Sequence, residues 1–154
     1  MDSSDVTQLI ILLILLGLSA FFSSAETALT TVNKIRIRSL AEDGNKRAKT
    51  VLKITDDSGK MLSAILIGNN IVNLSAASLT TSLAYSFGGS MVAIASGILT
   101  VLILLFGEIT PKTMATLNAE RLALSYAGPI HGLMVLLTPV IYIVNKLSDG
   151  VLSL

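Results

Sequence analysis

Cysteine and tryptophan are absent from this 154-residue chain, histidine occurs once (His131), and only 14% of the residues are charged. Without cysteine there is no disulfide framework and no thiolate metal centre. A single imidazole also excludes a metal centre built from several histidines. The charge content falls well below the roughly 25% of a soluble domain. A net charge of +1 gives no footprint for nucleic acid. What fills the chain is apolar: 52% of residues are hydrophobic and the mean hydropathy is +0.76. These shortages favour a bilayer as the solvent, and the expected class is an all-α integral membrane protein.

The apolar run begins at LIILLILLGLSAFF and continues through SSAETALTTV without a helix breaker, giving a first span at about 6–32. A crossing needs about 20 mostly apolar residues, so the length suffices. A cleaved signal peptide is disfavoured: Asp2 and Asp5 stand where a basic n-region belongs, and the run exceeds an h-region of about 7–15 residues.

Residues 33–60 differ in kind, holding eight of the eleven basic residues interleaved with Ile35, Ile37, Leu40, Val51, Leu52 and Ile54. This pattern predicts one or two amphipathic helices at a membrane surface, with a turn at Asp43-Gly44-Asn45. The basic excess places the segment in the cytoplasm and the N-terminus outside. A second span is expected at 61–87, polar for a membrane helix, then a tight turn at Gly88-Gly89-Ser90 and a third span at 91–110. Thr110-Pro111-Lys112 is expected to end or kink that span. Residues 122–144 carry Pro129 and Pro139, and are either a fourth, kinked span or part of a pair of short juxtamembrane helices at about 120–150. The prolines favour the pair, since they leave no unbroken run of about 17 residues.

Ionisable and amide side chains at membrane depth require a reason. Ser23, Glu26, Thr27 and Thr30 share one helix face at i, i+3, i+4 and i+7 spacing. Asn69 and Asn73, at i and i+4, share another, with Asn70 rotated off it. In Gly107-Glu108-Ile109-Thr110-Pro111, proline has no N–H for the carbonyl four residues back, that of Gly107, and Glu108 puts a carboxylate beside it. Each cluster has a bland reading: hydroxyl-assisted packing, amide bonds between helices, or a helix stop with hydrated ends. With alternating spans, however, all three fall at similar depth in the cytoplasmic half. Together they offer hard oxygen ligands, no sulfur and at most two carboxylates, which suits a hard cation. His131 follows Gly128-Pro129 and is left out of the site as structural or interfacial.

At these residues the sequence resembles the transmembrane domain of the CorC/CNNM family of magnesium transport proteins. The matching pieces are FFSSAETAL at Phe21 to Leu29, ILIGNNIVN at Ile65 to Asn73 and GEITPK at Gly107 to Lys112. The resemblance implies three transmembrane helices, a cytoplasmic juxtamembrane belt, a homodimer in the plasma (inner) membrane with a cytoplasmic C-terminus, and Mg²⁺ export driven by inward Na⁺ flow. The ligands it implies are Ser23, Glu26, Asn69, Asn73, the Gly107 carbonyl and Glu108, with Ser24, Asn70 and Pro111 as second choices. Such proteins usually continue into cytoplasmic CBS-pair domains. The expectation is that these follow in the full-length protein, since the sequence given stops at Leu154. The competing function is a membrane anchor or dimerisation module that senses or scaffolds without transport. No serine and histidine are paired by a catalytic motif, so an enzyme is not expected.

Overall fold

The computed structural model describes residues 3–86 and 88–153. Among them the secondary structure is entirely helical. Helix α1 runs Ser3–Thr31, α2 Lys34–Glu42, α3 Lys46–Asp56 and α4 Ser58–Tyr85. Helix α5, Met91–Leu102, passes through a π-helical segment, Ile103–Ile109, into α6, Thr110–Leu117. Helices α7, Ala119–Leu136, and α8, Thr138–Leu152, complete the chain. Three stretches are long and apolar enough to cross a membrane: Ser3–Thr31, Ser58–Tyr85 and Met91–Leu117. Helices α7 and α8 meet at a 69° bend and would make a fourth crossing only if that bent pair were one span.

Small side chains set how closely the long helices approach. Ala25 and Ala28 of α1, Ala64 of α4, Ala115 of α6, and Ala123 and Ala127 of α7 are all fully buried. Helices in lipid gain little from apolar burial and associate through such tight contacts. Gly68 of α4 is the extreme case: a Cβ there would lie 2.6 Å from the ring of Phe22 on α1. The large apolar residues of the spans, such as Leu13, Ile14, Leu66, Leu74 and Ile98, point outward instead, as a lipid-facing surface requires.

The basic segment folds as an α2–α3 hairpin. Asn33 caps α2, its side-chain oxygen accepting from the N–H groups of Ile35 and Arg36. Asn45 caps α3 by accepting from Ala48, and Asp57 caps α4 by accepting from Lys60. Each such cap stabilises its helix by about 0.5–2 kcal/mol. Gly44 takes the positive φ of +95° that the turn between α2 and α3 needs. Ile37, Val51 and Ile54 are buried beneath the hairpin. Arg36 reaches across to Glu120 at the start of α7, 3.3 Å away, in an exposed ion pair.

Of the two outcomes expected at Thr110-Pro111-Lys112, an end or a kink, the end does not occur: the third apolar helix runs on to Leu117. The turn before Pro111 is wound as a π-helix, with the Thr110 N–H bonded to the Leu105 carbonyl five residues back. A wider turn makes room for the proline ring where an α-turn would drive it into the preceding carbonyl. Pro129 likewise sits inside α7 without ending it, and the break in the last segment falls instead at Leu137, with Pro139 in the first turn of α8. A first-turn proline gives up an N–H that has no helical partner anyway.

Candidate cation site

The polar residues converge where α1, α4 and the π-helical segment meet. Ser19 of α1 is buried, and its hydroxyl donates to the Asn73 side-chain oxygen on α4 at 3.1 Å. Gly107 packs on the same point: a Cβ there would meet the Ser19 Oγ at 2.9 Å. Three elements thus contribute oxygen or bare backbone to one spot. One turn further along, about 6 Å at 1.5 Å per residue, lie Ser23 on α1 and Asn69 on α4. Ser23 is buried, and the Asn69 side-chain oxygen is buried with no hydrogen-bond partner. A buried acceptor left unpaired costs about 1–3 kcal/mol, so this oxygen is the one in the cluster with most to gain from a partner.

Glu108 follows Gly107 on the π-helical segment and is half-buried. Glu26 is half-buried and lies one turn beyond Ser23 on the same face of α1. The only ion pair among the described residues is Arg36–Glu120, so neither carboxylate is held by a cation of the chain itself. Among the described residues no three of His, Cys, Asp and Glu cluster together. The site is therefore built of neutral oxygens with at most two carboxylates at its margin. Pro111 is buried at the start of α6.

Two second-choice residues turn elsewhere. The Ser24 hydroxyl lies 2.8 Å from the Ala20 carbonyl and 3.3 Å from the Tyr126 hydroxyl, so it joins α1 to α7. Phe21 stacks edge-on against Tyr126 in the same contact. Asn70 is exposed on the outer side of α4. Ser19 is the residue that sequence reasoning missed. Its signal was its spacing, four residues before Ser23, hidden inside an otherwise apolar run.

On the N-terminal side of Ser19 in α1, and the C-terminal side of Asn73 in α4, lies a small cavity of about 100 Å³, walled by Leu9, Leu12, Leu16 and Leu99. These walls carry no polar group, so the Ser19–Asn73 pair forms the polar floor of an apolar vestibule.

These features define a multi-pass α-helical membrane domain with buried polar side chains where its long helices meet. The family model described as the cyclin M transmembrane N-terminal domain matches residues 10–154. A UPF0053 protein of Haemophilus influenzae is 40% identical over the whole chain, which spans 37% of that relative. The inner membrane protein YfjD of Escherichia coli is 38% identical over 85% of the chain and 31% of its own length. A chloroplastic DUF21 domain-containing protein of Arabidopsis thaliana is 42% identical over 96% of the chain and 22% of its own length. The chain belongs to the CNNM family of membrane domains, and it spans about a third or less of the length of these relatives.

Proposed function

We propose that this domain carries Mg²⁺ across the membrane, exporting it in exchange for Na⁺, through the pocket between α1, α4 and the π-helical segment. The observation that carries the reading is the buried, unpartnered Asn69 oxygen one turn from the Ser19–Asn73 pair. A chain that keeps an unsatisfied acceptor in a helix interface gains most if a cation completes it.

The spacing of the oxygens suits the ion. Octahedral Mg²⁺ binds at about 2.0–2.1 Å, which sets neighbouring ligand oxygens about 3 Å apart. Ser19 Oγ and Asn73 Oδ1 stand 3.1 Å apart. A cation can therefore sit against both oxygens, once the Ser19 O–H rotates away from Asn73, with little movement of either helix. Ser23, Asn69 and the Gly107 carbonyl extend the ligand set. Glu108, with Glu26 further along α1, supplies the negative charge. Mg²⁺ sheds water reluctantly, so a mixed shell of protein oxygens and retained waters fits a transported ion. The leucine-walled cavity beyond Ser19 resists wetting and would hold that side shut.

The domain is placed in the plasma (inner) membrane with its N-terminus outside and the basic α2–α3 hairpin and the C-terminus in the cytoplasm. Asn70, a polar amide on the lipid-facing side of α4, supports a second copy of the chain packed there as a homodimer. Purified protein in proteoliposomes loaded with a Mg²⁺-sensitive dye tests the reading. Flux that depends on a Na⁺ gradient and is lost in Asn73→Ala and Glu108→Gln is expected. A folded, membrane-inserted protein with no flux in any gradient would leave the anchor or dimerisation module in its place.

A further inference from the structure

A polar cavity lies away from the cation site, between the first turn of α3 and the middle of α7. Its volume is about 430 Å³, and it is lined by Lys46, Arg47 and Thr50 on one side and by Ser125, Gly128 and Pro129 on the other. No acidic residue lines it. Neither Lys46 nor Arg47 takes part in the only ion pair among the described residues. The two hydroxyls already donate to their own helices, Thr50 to the Lys46 carbonyl and Ser125 to the Arg121 carbonyl. The free donors facing the space are therefore the two cationic side chains.

We infer that this cavity seats the phosphate headgroup of an anionic phospholipid. Two unneutralised cations and no carboxylate call for an anion. The position selects a lipid as its source. Helix α7 packs on α1 through Phe21, Tyr126 and Ser24, at the level of the membrane span. Helix α3 belongs to the basic hairpin that lies at the membrane surface. The cavity thus lies where span and surface helix meet, and basic pockets at that level suit anionic headgroups. Pro129 has no N–H for the Ser125 carbonyl, which leaves an acceptor for a headgroup hydroxyl such as that of phosphatidylglycerol. A Cβ at Gly128 meets nothing within 4 Å, so the backbone there is open to the occupant.

Native mass spectrometry of the purified protein, with phosphatidylglycerol, phosphatidylcholine or inorganic phosphate added, tests the inference. Phosphatidylglycerol adducts should survive on the wild type and fall about thirtyfold in Lys46→Gln/Arg47→Gln, as expected for the loss of two surface cations. Gly128→Leu, which pushes a bulky side chain into the cavity with every charge kept, should weaken them too. The charge-matched Lys34→Gln/Arg38→Gln should retain them. Equal retention of phosphatidylcholine, equal loss in the charge-matched control, or displacement by inorganic phosphate at the same concentration would each overturn the assignment.

Discussion

The Ser19 hydroxyl donates to the Asn73 amide oxygen across 3.1 Å, tying α1 to α4 at the point where Gly107 of the third helix comes closest. Both side chains are uncharged, so the bond alone adds only about 0.6–2 kcal/mol to helix association. Its value under the proposed function is positional: it holds two oxygens at a coordinating separation before an ion arrives.

Gly107→Ala tests that geometry. The added methyl would stand 2.9 Å from Ser19 Oγ and must push the π-helical segment or the serine aside. Overpacking of this kind costs about 1–3 kcal/mol. The expected result is a modest fall in the detergent melting temperature together with loss of the stabilisation given by Mg²⁺, followed by circular dichroism.

Adjacent serines should separate cleanly. Ser24→Ala removes a link to Ala20 and Tyr126, lowering stability by about 0.5–1.5 kcal/mol and leaving the response to Mg²⁺ intact. Ser23→Ala, on the face shared with Ser19, should do the reverse. Melting curves of both variants at matched ionic strength, with and without Mg²⁺, check the pair.

Gly68→Ala addresses packing without ligands. Its Cβ would fall 2.6 Å from the buried Phe22 ring, which is itself stacked edge-on by Phe21. The ring cannot swing away freely, so a destabilisation of about 1–3 kcal/mol is expected. Gly68→Ala/Phe22→Leu should recover part of it in the same melting experiment.

The spans, the Asp43-Gly44-Asn45 turn and the shared face of Asn69 and Asn73 were legible in the sequence because each rests on local periodicity or turn chemistry. Ser19 was not. One serine among leucines gives no periodic signal, and its role depends on Asn73, 54 residues away. The π-helical turn before Pro111 was equally hidden, since a proline inside an apolar run signals a break and not a wider winding. Pro129 misled for the same reason: α7 continues past it with Ala123, Ala127 and Ile130 fully buried, and no local rule counts that packing. Ser24 and Ser23 are neighbours in sequence, and only the packing of α7 tells them apart.

Asn69→Leu is the most direct measurement. It removes the orphaned oxygen while keeping the side chain's size, so unfolding without Mg²⁺ should be unchanged or shifted upward by about 1–3 kcal/mol, the cost of the unpaired acceptor. The same variant should lose the melting-temperature increase that Mg²⁺ gives the wild type. A Mg²⁺ shift of full size in Asn69→Leu, or no shift in the wild-type protein, would contradict a cation held between α1, α4 and the π-helical segment.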